Sequence, residues 1–326
     1  SKQLYGGSIT QFTQTFKSFG WEAELVDIHD IVAVEKAILK PEVAVLFSES
    51  LSNPDGSITD IEALSKLAKS SQIPLFIDNT MATSVMCKPG VFGADVILYS
   101  TTKFMSGHGN ALGGAVVDMG SFDWMHARHS SLLSDANPAY HGIRFAETFG
   151  KLSYITFCRA SVLRDLGPTM APMNAFLTLT GIETLPLRMR QHNENAAKVA
   201  HFLRDHPAVI NVSWAGFSDS PHYDRAKKYL AFGAGSVFTF EVKDGYHAGQ
   251  KLVENCNLLS HLANIGDTRS LIIHPASTIH RQLTDIQREQ AGIGAGTIRV
   301  SVGIENPDDI IADLKGALEV VSGEKI

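Results

Sequence analysis

The chain has 326 residues, of which 44% are hydrophobic and 19% are charged, and its formal net charge is −6. This composition is typical of a soluble globular protein with room for two domains and a large core. The negative charge and the scattered basic residues argue against nucleic acid or an acidic membrane as a partner. No apolar stretch approaches the about 20 residues that a membrane-spanning helix needs, and the start shows no signal-peptide pattern.

The first half of the chain alternates predicted helices and strands. Apolar residues at helical spacing predict helices over residues 8–19, 31–38 and 61–68, with Asp60 or Thr59 as the cap of the third. Short apolar runs predict strands over residues 21–26, 43–47, 74–78, 95–99 and 115–117. Because these strands are apolar throughout, we predict an α/β fold whose sheet is mostly parallel and covered on both faces.

The composition changes after Gly167-Pro168, so we predict a large domain over residues 1–167 and a smaller α+β domain over residues 168–326. In the second domain we predict helices over residues 182–204 and 248–259, and a closing helix capped at Asn306. We predict strands over residues 209–214, 237–242 and 297–302. The last of these alternates polar and apolar residues, which is typical of a half-buried strand.

Cysteine and histidine usage excludes two classes of site. Cys87, Cys158 and Cys256 are odd in number and widely spaced, which argues against a disulfide framework and favours a reducing, cytoplasmic location. The 13 histidines show no metal-ligand spacing, so we expect no metal. Gly292, Gly294 and Gly296 precede a strand instead of opening a helix, which excludes a dinucleotide-binding loop.

Polar residues follow several of the predicted strands. Ligands of parallel sheets bind at the carboxyl ends of the strands, and five such residues are found there: Asn53, Asp78, Ser100, Thr102 and Lys103. Pyridoxal 5′-phosphate (PLP) needs a lysine that holds its aldehyde as a Schiff base and an acid that keeps its pyridine nitrogen protonated. It also needs hydroxyl and backbone N–H donors for its phosphate. We therefore expect PLP, with Lys103 and Asp78 in the first two roles and Ser100 and Thr102 near the phosphate.

Each residue also has a simpler interpretation. Lys103 alone suits a solvated loop, and Asp78 alone suits a helix N-cap, but the two together at neighbouring strand ends favour the cofactor. Ser100 and Thr102 suit the end of a strand equally well. Arg299 could clamp a substrate carboxylate with two parallel hydrogen bonds. From spacing alone, however, a surface salt bridge of Arg299 is the favoured interpretation.

The chain resembles the Cys/Met-metabolism family of PLP enzymes, which has fold type I. The segments that carry the resemblance are Asp78-Asn79-Thr80, Ser100-Thr101-Thr102-Lys103, Gly107-His108, Leu4-Tyr5-Gly6-Gly7, Asn53-Pro54 and residues 183–189, 260–267 and 298–303. The resemblance implies that Tyr5 stacks on the cofactor ring and handles protons, and that Asn53 contacts the ring near its hydroxyl. It also implies that Ser270 and Arg299 hold the substrate carboxylate.

Two departures from the family pattern stand out. Met81 and Ser84 replace an aromatic or aliphatic residue and a proline that relatives usually have. The family's upstream Ser-Gly phosphate loop and its N-terminal arm are absent, so we expect that upstream residues are missing from this sequence.

The resemblance implies a γ-replacement in which sulfide or methanethiol displaces the acetate of O-acetyl-L-homoserine. Its implied partners are a small amino-acid substrate, sulfide and further copies of the chain in a tetramer built as a dimer of dimers. Methionine γ-elimination and the synthesis or cleavage of cystathionine remain open as alternatives, and so does succinyl in place of acetyl. A non-catalytic homologue within an assembly is a third possibility, against which the intact Asp78 and Lys103 speak.

Overall fold

The computed structural model describes residues 1–53, 56–279, 281 and 294–323, and the statements below concern these residues. Pro54 of the Asn53-Pro54 motif and Gly292 of the glycine series lie outside them. The chain forms two compact units. The first unit contains residues 1–50, 59–101 and 112–176, and the second contains residues 51–58, 102–111 and 177–326.

The units therefore interleave along the chain, whereas the sequence predicted one boundary at residue 167. The reason is visible in the backbone of residues 102–111, whose carbonyls are used by later residues. Arg188 donates a hydrogen bond to the Phe104 carbonyl (2.8 Å), and the Thr268 amide donates to the Gly107 carbonyl (2.8 Å). The lysine-bearing segment thus packs with the second unit.

The first unit contains a sheet of four strands in the order β1-β2-β3-β4, namely β1 Leu46–Glu49, β2 Leu75–Asp78, β3 Val96–Ser100 and β4 Gly114–Asp118. The pairs β1–β2 and β2–β3 are parallel, and β3–β4 is antiparallel. Leu75, Ile77 and Val96 are fully buried, as their apolar runs predict. The predicted α/β fold with a mostly parallel sheet is confirmed.

The helices of the first unit are α1 Gly6–Thr10, α2 Ile31–Ile38, α3 Ile61–Ser70, α4 Thr83–Met86, α5 Ser131–Ser134, α6 Phe145–Phe149, α7 Ser153–Phe157 and α8 Arg164–Leu166. Tight 3₁₀ turns cover Phe16–Phe19, Pro89–Phe92, Pro138–Tyr140 and Gly150–Leu152, and wide π turns cover Gln11–Thr15 and Cys158–Leu163. Asp60 caps α3 by accepting a hydrogen bond from the Ala63 amide (3.2 Å), which confirms one of the two predicted caps.

Two predictions near the start differ from the structure. The predicted helix over residues 8–19 is helical, but it changes from α to π to 3₁₀ along its length. The strand predicted over residues 21–26 is wrong, and residues 21–27 have no regular structure. A strand needs a neighbour along its length; here Val26 accepts one hydrogen bond from the Lys2 amide (2.8 Å) and Trp21 is 59% exposed.

The second unit contains a sheet in the order β5-β6-β9-β8-β7, namely β5 Val209–Ser213, β6 Val237–Val242, β7 Ser260–His261, β8 Leu271–Ile273 and β9 Thr297–Ser301. Its pairs are antiparallel except β7–β8. The remaining helices are α9 Pro172–Glu183, α10 Leu185–Asp205, α11 Tyr223–Tyr229, α12 Gly245–Asn255 and α13 Pro307–Ser322, with a 3₁₀ turn over Pro275–Ser277. None of the described helices has the length and apolar content to cross a bilayer.

Strand β9 is more deeply buried than its alternating sequence predicts. It lies between β6 and β8, so both of its edges are hydrogen-bonded to neighbouring strands. Ile298 and Val300 are fully buried, and Arg299 and Ser301 on the other face are 9% and 2% exposed. The half-buried strand predicted over residues 297–302 is therefore wrong in burial, although its position along the chain is confirmed.

Candidate active site

The first group of candidate residues lies at the carboxyl edge of the sheet in the first unit. Asp78 is the last residue of β2, and Ser100 is the last residue of β3. Thr80 connects the two strand ends, because its amide donates to Asp78 Oδ1 (2.8 Å) and its Oγ1 accepts from the Ser100 amide (2.8 Å). The parallel pairing brings the predicted acid and one predicted hydroxyl to the same edge of the sheet.

The electrostatics of Asp78 suit a cationic partner. Burial raises the pKa of the Asp78 carboxyl, and the hydrogen bonds from Thr80 oppose this shift without cancelling it. A carboxylate in this position gains from an opposite charge in contact with it, and the protonated nitrogen of a pyridine ring is such a charge. The carboxylate at this strand end can accept a hydrogen bond from the protonated pyridine nitrogen and therefore fits that side of PLP.

Asn79 holds the loop that follows Asp78. Its side chain is fully buried, and its Nδ2 donates to the carbonyls of Thr83 and Cys87, both at 2.9 Å. Its Oδ1 accepts a hydrogen bond from Ser50 Oγ (2.7 Å). Asn79 has no role of its own that its sequence position predicts, and the available signal was an amide that closely follows an apolar strand.

Tyr5 lies near the end of β1. Its amide donates to Oε1 of the buried Glu49 (2.6 Å), while its own side chain is 53% exposed. The backbone of Tyr5 is thus fixed and the ring has an open face. Stacking of this ring on the cofactor stays a prediction.

The second group of candidate residues belongs to the second unit and includes the lysine. Lys103 is half-buried, and its Nζ donates a hydrogen bond to Asn264 Oδ1. Burial lowers the pKa of the Lys103 ammonium, and the positive charge of Arg299 lowers it further. A lysine with a lowered pKa is more readily neutral, and the neutral amine is the form that bonds covalently with an aldehyde. The hydrogen bond to Asn264 holds this amine in place.

Arg299 is not a surface residue. Its guanidinium Nη1 donates to Asn53 Oδ1 (2.9 Å), and the residue is buried within β9. The surface position that spacing favoured is therefore wrong, because Arg299 is only 9% exposed. The structure brings Asn53 and Arg299 together, and the charge of Arg299 acts on Lys103.

Two further residues complete this group. Asn264, which the sequence analysis missed, contacts Lys103 from a segment far along the chain. Ser270 is fully buried; its Oγ donates to Glu305 Oε2 (2.9 Å) and accepts from the Gly303 amide (2.8 Å). Because these bonds engage its hydroxyl within the chain, the predicted substrate contact of Ser270 stays a prediction. The phosphate contacts of Ser100 and Thr102 also stay predictions.

Asp78 and Ser100 end neighbouring parallel strands, and the half-buried Lys103 follows Ser100 by three residues along the chain. This combination is typical of a fold-type I PLP enzyme. The chain belongs to the family of Cys/Met metabolism PLP-dependent enzymes, whose model matches residues 1–319. PLP is accordingly its cofactor. Within the described residues, no group of three or more His, Cys, Asp or Glu side chains is arranged to hold a metal ion.

The chain is similar in sequence and structure to several proteins that are named for one activity. The chain is 42% identical to the O-acetyl-L-homoserine sulfhydrylase of Leptospira meyeri, over 98% of this chain and 74% of that protein. It is 40% identical to O-acetyl-L-homoserine sulfhydrylase 1 of Thermus thermophilus, over 97% and 75%. A crystal structure from Campylobacter jejuni, which carries N′-pyridoxyl-lysine-5′-monophosphate, matches with a TM-score of 0.93 and 39% identity, over 98% of this chain and 76% of that one.

Proposed function

We propose that this chain catalyses a γ-replacement in which sulfide displaces the acetate of O-acetyl-L-homoserine. The products are L-homocysteine and acetate; methanethiol in place of sulfide gives L-methionine. The observation that carries the proposal is the match of about 40% identity, over nearly the whole chain, to relatives named for this activity. The half-buried Lys103 and the buried Arg299 supply the amine and the carboxylate anchor that an amino-acid substrate requires.

Lys103 is the residue to which we assign the covalent hold on PLP and the proton transfers. PLP, when bound, withdraws electrons from the substrate and so makes its Cα and Cβ protons acidic. The neutral Lys103 Nζ takes the proton from Cα, and its lowered pKa favours that neutral form. Removal of a Cβ proton then lets acetate leave from Cγ with the bonding electron pair. Hydrosulfide adds at Cγ, and protons return to Cβ and Cα to give homocysteine.

The other candidate residues hold the reactants. Asp78 keeps the pyridine nitrogen protonated, and Tyr5 stacks on the ring. Ser100 and Thr102 donate to the phosphate, and Asn53 contacts the ring near its hydroxyl. Asp78 and Ser100 are supported by their positions at the ends of β2 and β3, and Asp78 also by the burial that raises its pKa. Tyr5 is supported by its amide bond to Glu49 at the end of β1, and Asn53 by its contact with Arg299.

Arg299 anchors the substrate carboxylate in this proposal, and Ser270 is assigned to the same group. Arg299→Lys is expected to raise the KM for O-acetyl-L-homoserine by about 10- to 100-fold, because a point charge replaces a two-pronged clamp worth about 1.5–3 kcal/mol. Steady-state kinetics measures the change, and Arg190→Lys on the exposed face of α10 is the control. An unaltered KM would show that Arg299 does not bind the substrate.

The pKa of Lys103 gives a pH prediction for the protein without its cofactor. Attachment of PLP needs the neutral amine, so its rate should rise with pH and reach half its maximum below the ordinary lysine pKa of about 10.4. Arg299→Met removes a neighbouring positive charge, which raises the pKa of Lys103 and moves the midpoint to higher pH. Stopped-flow absorbance measures the midpoint. A midpoint that stays in place would contradict the assigned effect of Arg299.

Product analysis tests the proposed reaction itself. The purified protein is given O-acetyl-L-homoserine, O-succinyl-L-homoserine, L-cystathionine or L-methionine, each with and without sulfide. We expect homocysteine and acetate in quantity from the acetyl ester with sulfide only. Methanethiol and 2-oxobutanoate from methionine without sulfide would instead identify a γ-lyase.

For the assembly and location, we propose a cytoplasmic homotetramer built as a dimer of dimers. Helix α9 supports the association, because Met173, Phe176 and Leu179 are each about two-thirds exposed and lie at helical spacing. Apolar side chains exposed in a row are typical of a surface that another chain covers. Sedimentation velocity measures the assembly, and a monomer at micromolar concentration would contradict this part of the proposal.

A further inference from the structure

Arg188 is a buried cation whose hydrogen bonds go to backbone carbonyls. It lies on α10, is 5% exposed, and donates to the carbonyls of Phe104 (2.8 Å from Nη1), Met105 (3.3 Å from Nη2) and Gly181 (2.7 Å from Nη2). Its Nε donates to Thr184 Oγ1 (3.1 Å). In the described part of the chain, no carboxylate lies within ion-pair distance of its guanidinium.

Burying a charge without a carboxylate partner costs desolvation free energy. That cost is offset only when the N–H groups of the cation donate well-formed hydrogen bonds. Arg188 uses them on two separate stretches of backbone: residues 104–105 on one side and the junction of α9 and α10 on the other. The planar fork of a guanidinium can bridge these stretches at once, whereas an ammonium is a single point of contact. This arrangement indicates that the position of residues 104–105 matters to the protein.

Those residues directly follow Lys103. The segment is closed as a turn, because the Gly107 amide donates to the Lys103 carbonyl (2.8 Å), and it is held again where the Thr268 amide donates to the Gly107 carbonyl (2.8 Å). The ring of Phe104 packs edge-on against His192, with ring centroids 5.3 Å apart. Burial above all, with a contribution from the charge of Arg188, lowers the pKa of His192 to about 4 and keeps that neighbour neutral.

Three glycines around this turn lie too close to neighbouring atoms to carry a side chain. A Cβ on Gly181 would lie 2.3 Å from the Ser106 carbonyl oxygen, and a Cβ on Gly107 would lie 2.3 Å from Arg188 Nη1. Gly266, on the segment that carries Asn264, would place a Cβ 2.7 Å from the Phe104 amide nitrogen. The backbone after Lys103 is therefore closely packed against the segment around Gly181 and against the segment around Gly266.

We propose that Arg188 is a positioning residue for Lys103: its guanidinium fixes the Phe104 and Met105 carbonyls, and thereby the direction in which Lys103 Nζ reaches Asn264 and the reacting atoms. The inference rests on the proposed role of Lys103. Arg188 itself touches neither cofactor nor substrate in this account. Its loss misplaces the amine without removing it.

The test uses the PLP-loaded protein with Arg188→Lys and Arg188→Met, and with Arg190→Met as a control. Arg190 lies two residues further along α10, is exposed, and rests over the Phe232 ring at 5.1 Å. For Arg188→Lys we expect kcat with O-acetyl-L-homoserine to fall about 100-fold while KM changes less than about threefold, because a misplaced catalytic group slows the chemical step. Amide hydrogen exchange of residues 104–107 should be faster than in the parent protein, also without cofactor, and the control should match the parent.

Two outcomes would overturn the inference. The first is a folded Arg188→Lys protein with the parent's kcat and exchange rates. The second is a lower unfolding temperature with unchanged kcat per folded site, which would make Arg188 a structural residue only. If the Arg188→Met protein does not fold, the Arg188→Lys protein alone provides the test. Borohydride labelling of the parent protein separates the role of Lys103 from that of Arg188. A label on a lysine other than Lys103 refutes the proposed function. A label on Lys103, together with parent-like kcat and exchange rates in Arg188→Lys, refutes only the inference about Arg188.

Discussion

Lys103→Ala is expected to lower turnover by at least about 10³-fold, because the variant loses the amine that holds the cofactor and moves the substrate protons. PLP should still bind without a covalent link through Asp78 and the phosphate contacts. Turnover and the yellow absorbance of covalently held PLP are the two measurements. The motivation is the half-buried Nζ, bound to Asn264 and with a lowered pKa.

Lys88→Ala is the matched control for this change, because Lys88 is an exposed lysine. It should retain both turnover and absorbance. Retained turnover in Lys103→Ala would show that another residue carries the chemistry.

Asp78→Asn is expected to leave the fold intact and to lower kcat about 10- to 100-fold. The amide retains an Oδ1 that can accept from the Thr80 amide, so the local structure has no reason to change. It loses the negative charge, and a charge-assisted hydrogen bond is worth about 1.5–3 kcal/mol. The loss should appear in kcat more than in KM, because the stabilised charge develops during the reaction.

Thermal unfolding and steady-state kinetics together measure this effect, and Asp135→Asn at an exposed position is the control. Parent-like turnover in Asp78→Asn would remove the reason for pairing the ends of β2 and β3 in one site.

The sequence predicted the strand ends well for a physical reason. The apolar residues before Asp78 and before Ser100 are all buried or partly buried, so hydrophobic burial indicates where β2 and β3 lie. The strand predicted over residues 21–26 shows the limit of this reasoning. An apolar run becomes a strand only when a neighbouring strand accepts its hydrogen bonds, and no property of residues 21–26 reports that.

The rest of the site depends on contacts between distant parts of the chain. Asn264 reaches Lys103 across 161 residues of sequence, and Arg188 reaches the Phe104 carbonyl across 84. Arg299 was interpreted as a surface residue because alternation in β9 suggested one open face. In the structure Arg299 and Ser301 on that face are 9% and 2% exposed, and the parts of the chain that cover this face cannot be read from the sequence of β9 alone.

The most direct test of the account is to locate the covalently held cofactor. The PLP-loaded protein is reduced with borohydride, digested and mapped by mass spectrometry. The account predicts a pyridoxyl group on the peptide that contains Lys103, and its absence from that peptide in Lys103→Ala. A pyridoxyl group on any other lysine of the parent protein would contradict it.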